Sequence, residues 1–286
     1  MSQSKNQQPA YLLVFRTFLV NSLVREMTFR MNFLIECFSS VTWTMMNLGF
    51  YLIIFQHTDQ FGSGWGKWEF FVFLATTMIV NSIVQAFFMP NCEEISELIR
   101  TGGLDFALLK PIDTQFLVSL QKADWSALAN FVAGLVLLNV SLYQLMHRAE
   151  HPLPLPLFTL ILYPFFVLCG VAIMYSLMIA LSSTSIWLGR NQSLYDFWFY
   201  ITNFSRFPME IYDGPYGTVL RQSFTFVLPV LVVVNVPARL LAQPLYPAES
   251  LDYFLPLFTV AATFASLAAS RWLFLTALSQ YRSASS

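Results

Sequence analysis

Two stretches carry the residue types of catalytic signatures. His147-Arg148-Ala149-Glu150-His151 has the H-x-x-E-H order in which two histidines hold zinc and a glutamate activates water. That chemistry needs both histidines one turn apart on a helix. Pro152 biases His151 away from helical geometry, so the stretch reads as a solvated loop. Gly62-Ser63-Gly64-Trp65-Gly66-Lys67 approaches a phosphate-binding loop, but its glycine spacing is one residue short. Trp68 also stands where a hydroxyl residue must meet magnesium, so this reads as a loop with an aromatic interface anchor. Cys37, Cys92 and Cys169 share no close spacing and suggest neither a disulfide framework nor a metal cluster.

Ionisable residues inside apolar runs have a stronger claim, because charge is costly to bury in lipid. Glu36 lies just inside the first run and reads as paired with Arg30 or with lipid headgroups. Lys122 and Asp124 mark the start of the third run, and Arg271 reads as reaching out of the sixth toward the interface. A file of carboxylates deep in the runs, which an ion-coupled secondary transporter would use, is absent from the sequence. A non-transporting structural membrane subunit stays open at this stage.

The elements that must hold these residues are membrane spans. Of the 286 residues 56% are apolar and only 11% charged, and the mean hydropathy is +0.58. Soluble domains carry about 25% charge, so the fold class is an all-α polytopic membrane protein. Aromatics at 17% suit lipid-facing and interhelical packing. A span needs about 20 apolar residues, and the chain offers six: 33–55, 69–89, 124–146, 155–181, 217–237 and 255–277. With the N-terminus inside, the cytoplasmic set comprises Lys5, Arg16, Arg25, Arg30, Arg100, Lys110, Lys122, Arg190, Arg206, Arg221, Arg271 and Arg282. Lys67, Arg148 and Arg239 stay outside, so the positive-inside rule puts both termini in the cytoplasm of a cell membrane.

The whole chain, 1–286, reads as one transmembrane domain. Residues 1–10 form a polar, disordered tail, and no cleavable signal follows. Tyr11, Leu12, Phe15, Phe18, Leu19 and Leu23 recur at helical spacing among Arg16, Arg25 and Arg30. That pattern predicts an interfacial amphipathic helix over 11–30, its arginines reaching lipid phosphates, ahead of a six-span bundle over 31–281. Ser185 to Tyr212 is too aromatic for an ordinary loop and too polar for a comfortable span. Either it is interfacial, the simpler count, or it is the true fifth span and residues 205–250 form a re-entrant outer hairpin. The prolines at 208, 215, 229, 237, 244 and 247 suit broken helices.

The charge concentrates between spans two and three, over Asn91 to Asp113. Pro90 ends the preceding run, Asn91 caps a new helix and Glu94 completes a capping box. Ile95, Leu98 and Ile99 give that helix an apolar face, and Glu97 meets Arg100 one turn on. Thr101-Gly102-Gly103 ends it. A second short element carries Leu104, Leu108 and Leu109 on one side, with Asp105 near its start, and Lys110-Pro111 stops it. The product is a bent amphipathic hook on the cytoplasmic side.

Ile99 to Ile112 (IRTGGLDFALLKPI) resembles a segment shared by ABC transporter permeases of the type-2, exporter-like class. Phe204 to Pro237, with SRFP, IY, a central Leu228-Pro229 and VP before Ala238, is similar to the same family, as is the ending Tyr281-Arg282-Ser283-Ala284-Ser285. The likeness covers nearly the whole chain. It implies that Glu94, Glu97, Arg100, Gly102, Gly103, Leu104, Asp105, Leu108, Lys110 and Pro111 couple the spans to a separate ATPase. It also implies two ATPase subunits, a second permease that is identical or related, and lipid, but no nucleic acid. This chain would hold no cofactor and would be no enzyme itself, ATP and Mg residing on the ATPase.

Overall fold

The computed structural model describes residues 10–61, 64–148, 152–188, 192–242 and 251–281. The polar tail 1–9, Gly62 and Ser63, residues 149–151 of the histidine motif, Arg190, Pro244, Pro247 and the 282–285 ending lie outside the described residues.

Helix α1, Tyr11–Thr28, turns at Phe29 into α2, Arg30–His57. A two-stranded antiparallel hairpin follows, β1 Gln60–Phe61 and β2 Trp65–Gly66. Then come α3 (Lys67–Phe87), the hook helices α4 (Met89–Arg100) and α5 (Gly103–Leu108), α6 (Thr114–Leu120), α7 (Leu128–Met146) and α8 (Leu157–Ser183). After α9 (Ser185–Leu188) and α10 (Gln192–Asn203), 3-10 turns at Phe204–Arg206 and Met209–Tyr212 lead to α11, Gly217–Gln222. This continues as a π turn, Ser223–Val227, before α12 (Leu231–Ala242) and α13 (Leu251–Ser279).

Five stretches are long and apolar enough to cross a bilayer: Arg30–His57, Lys67–Arg100, Leu128–Met146, Leu157–Leu188 and Phe254–Ser279. They coincide with five of the six expected spans. At 21 residues α3 rises about 31 Å, one hydrocarbon thickness, so it sets two ends to the bundle. The hook continues from one end, and the β1–β2 hairpin sits at the other, called here the far end.

The core lies among α3, α8 and α12. Every side chain from Leu231 to Ala238 of α12 is buried, so this short helix is wrapped by the bundle. Gly170 of α8 permits the close approach: a Cβ there would stand 2.7 Å from the Val233 carbonyl oxygen. Gly134 does the same between α7 and α3, where a Cβ would meet Met78 and Ile79 at 3.1 Å. By contrast α2, 28 residues long, buries no side chain at all.

The span expected at 217–237 is not one straight helix. Gly217–Val227 and Leu231–Ala242 meet at 91°. Pro229 lacks the N–H that would carry the ladder across the junction, so the helix breaks there. Glu210 takes a hydrogen bond from Trp65 Nε1, 2.8 Å, and pairs with Arg239. The segment around residues 206–239 therefore lies by the β1–β2 hairpin at the far end. The bent pair can be one broken span or the re-entrant hairpin of the alternative count. Pro164, in contrast, sits inside α8, which runs on through it.

Side-chain surroundings sharpen three further expectations. In the loop expected to carry an aromatic interface anchor, Trp65 is fully buried and Trp68 is partly exposed. Glu36 meets Asn32 Nδ2 at 2.6 Å rather than Arg30, because a residue four positions earlier is the nearest donor on the same face. Arg271 does not reach for lipid but binds the hook's base, as follows.

Candidate functional site

The hook begins where α3 yields at Phe88, whose φ of −114° breaks the helical run. Pro90 does not end that run. It occupies the first turn of α4, where its missing N–H costs nothing. Asn91 is likewise not a cap. Its buried amide donates to the carbonyls of Phe87 (2.9 Å) and Lys122 (2.7 Å) and accepts from Lys122 N–H (2.8 Å). A cap must stand outside its helix, and Asn91 is already inside α4; its amide instead closes the two ends of the hook together. Glu94 pairs with Lys122 at 2.5 Å instead of completing a capping box. Ile95 is buried and Leu98 and Ile99 are half-buried, as the spacing predicts. The Glu97–Arg100 pair forms at 2.5 Å on the exposed side.

The turn between α4 and α5 needs one left-handed residue, and that residue is Gly102, with φ +73°. Gly103 opens α5, and a Cβ there would lie 3.0 Å from Leu98 Cδ2. In α5 Leu104 and Ala107 are buried. Leu108 and Leu109, expected on the same side as Leu104, are 41% and 81% exposed, and Phe106 is 72% exposed. Burial in this six-residue helix therefore falls on Leu104 and Ala107, and Leu108, one turn after Leu104, is left partly uncovered. Asp105 is half-buried, and Lys110 and Pro111 are exposed beside the apolar tip.

Behind the tip, a polar network ties the hook to the spans. Asp113 caps α6 by accepting from Phe116 N–H at 2.9 Å. Arg271 of α13 grips the same carboxylate through both oxygens and donates to Gln115 Oε1 at 2.9 Å. Gln115 and Ser119 in turn meet the Tyr175 hydroxyl of α8, each at 2.9 Å. Partial burial pushes the Asp113 carboxyl up, but the Arg271 bonds and the Phe116 N–H outweigh it and hold it below its ordinary value. Helix α1 fastens to the hook's exit: Ser22 Oγ accepts from Ala123 N–H and Glu26 from Trp125 N–H, both at 3.0 Å. Burial pushes the Glu26 carboxyl up despite that backbone bond. Asp124 Oδ1 accepts from the Ser126 N–H and hydroxyl in the turn ahead of α7.

A cleft of about 700 Å³ opens between α2, α3 and α7. Thr77, Asn81 and Gln85 descend its α3 wall at four-residue spacing, facing Thr44, Asn47 and Tyr51 of α2. Thr44 donates to Asn130 of α7 at 2.9 Å. Arg206 and Asn203 line it as well. Sequence reading missed this file because it sought charges, whereas the signal was uncharged polar residues at helical spacing. For the Asp113–Arg271 pair no local signal exists, the partners being 158 positions apart.

Among the described residues no group of three or more His, Cys, Asp or Glu side chains could hold a metal ion. Of the zinc-like motif, His147 meets the Tyr143 carbonyl and Arg148 pairs with Glu69 at 3.0 Å. The arrangement offers a bonded lever at one end and a polar path among the spans. Comparison with curated proteins and with solved structures finds no match. Residues 41–285 match the family described as ABC-2 family transporter protein, and the chain, a multi-pass membrane permease of the ABC transporter class, belongs to that family.

Proposed function

We propose that this chain is the membrane subunit of an ATP-driven exporter, working with two copies of a separate ATPase and a second permease, identical or related. The single observation that supports it best is the hook tip. Phe106, Leu108 and Leu109 form an exposed apolar surface outside the bundle, flanked by Lys110 and the Glu97–Arg100 pair. Such a surface beside charges suits a protein partner. Behind it the bonds of Arg271 and Tyr175 reach α13 and α8, giving docking a route into the spans. ATP and Mg would reside on the ATPase, and this chain would bind neither. The hook and both termini would be cytoplasmic, in a cell membrane, with α1 lying at the lipid surface on its exposed arginines. The bare apolar face of α2, including Phe38, Met46 and Phe50, suits the second permease or lipid.

Purifying the tagged chain from its native membranes tests the proposal. Co-purification of a stoichiometric Walker-motif subunit with ATP hydrolysis is expected, together with no saturable ATP binding by the chain alone. Saturable ATP binding by the isolated chain would overturn it.

A further inference from the structure

We infer that the cleft between α2, α3 and α7 binds an amphiphilic anion, an apolar body bearing one phosphate or carboxylate that pairs with Arg206. This names a substrate class for the permease reading and rests on it for the cleft's use in transport.

The charge balance of the far end is the first argument. Arg148, Arg221 and Arg239 each have an acidic partner, Glu69, Asp213 and Glu210. Arg206 has neither an ion pair nor a hydrogen bond among the described residues; its guanidinium lies over the Phe199 ring, 5.4 Å from the centroid. Among the described residues it is also the one charged side chain lining the cleft, so an anion meets no described carboxylate there. Arg206 is itself exposed and so can turn onto an incoming anion, whereas a cationic ligand would be repelled.

The walls supply the rest of the ligand's description. The volume, about 700 Å³, suits a drug-sized molecule rather than a bare ion. Leu48, Met78, Val136 and Val140 provide apolar surface, while the amides of Asn81, Gln85 and Asn203 have no hydrogen-bond partner among the described residues. Unpartnered amides at span depth are costly in lipid and useful against a ligand's ester or hydroxyl oxygens.

The test uses the purified complex in phosphatidylcholine nanodiscs, with radiolabelled dodecyl phosphate as probe and empty discs as blank. Saturable binding above the blank is expected, with dodecanol, dodecyltrimethylammonium and inorganic phosphate each binding far more weakly. Arg206→Gln is expected to weaken dodecyl phosphate about tenfold, with Arg206→Lys restoring most of it. Asn81→Leu gives a second, charge-neutral check on the same cleft. Adding phosphatidylglycerol to the discs separates the sources: competition identifies a bilayer lipid as occupant, and its lack identifies a free amphiphile, either keeping the anionic chemistry. Equal binding of the neutral or cationic analogue, or of phosphate alone, would overturn the inference, as would unchanged binding by a folded Arg206→Gln. If binding fails while the ATPase still co-purifies, the ligand class falls and the permease reading stands; binding without an ATPase has the reverse meaning.

Discussion

At the hook end, beside the local Glu97–Arg100 pair, two ion pairs join separate elements: Arg271 of α13 holds Asp113, the cap of α6, and Lys122 holds Glu94 of α4. At the far end Glu210 gathers Trp65 and Arg239 into one knot between the hairpin and the bent segment. The two differ in burial. Arg239 and Glu210 side chains are 19% and 10% exposed, Arg271 and Asp113 41% and 33%. Buried pairs are expensive to break, whereas wet pairs exchange with water at little cost. The far end is thus built as a lock and the hook end as an adjustable joint, which is where a partner's motion can enter.

The contrast predicts the ranking of substitutions. Glu210→Ala removes the buried carboxylate that Arg239 and the Trp65 N–H share, and is expected to cost about 4 kcal/mol. Thermal unfolding in detergent measures it; a loss under about 1 kcal/mol would show that the far end is no lock. Leu104→Ala empties the hook's buried seat, with an expected cost of about 3 kcal/mol and faster tryptic cutting after Arg100. Gly102→Val forces a β-branched residue to positive φ, worth about 1–2 kcal/mol. Gly103→Val presses only on the movable end of Leu98, so its smaller effect checks the backbone directly.

The smallest effect concerns acid. Because the folded state holds the Asp113 carboxyl below its ordinary value of 3.8, its contribution is full above that value. It is lost as pH falls through the lower, folded value. Melting curves between neutral pH and pH about 3 are expected to show this loss in the natural chain, reduced in Asp113→Asn. Identical pH profiles would remove the Arg271–Asp113 joint from the account.

Much of the fold was legible because span length and apolar content are local properties. Five spans, the helix before them and the two-part hook can all be read from runs such as 69–89 and from Gly102-Gly103. The direction a leucine faces was not: Leu104 and Leu108 share a helical face, but how far α4 and α6 extend beneath them is a tertiary matter. The bend in the span expected at 217–237 was hidden for a related reason. Apolar content over 217–237 is the same whether the helix is straight or folded at Pro229, and only the contact of Glu210 with Trp65 decides where its ends lie. At the site, the sequence marked Leu108 and Leu109 but not Phe106 beside them, and the anchor was not legible at all, since Asp113, Gln115, Tyr175 and Arg271 meet only in three dimensions.

The exposed tip gives the most direct test of coupling, because Leu108 contributes little to the fold. Leu108→Asp is expected to leave the melting temperature within experimental scatter, unlike Leu104→Ala. ATPase co-purification and ATP-dependent transport by Leu108→Asp, in membranes with matched expression, decide the matter. The account predicts that both are lost while the chain stays folded. A Leu108→Asp chain that holds its ATPase and transports normally would contradict the hook as the coupling element.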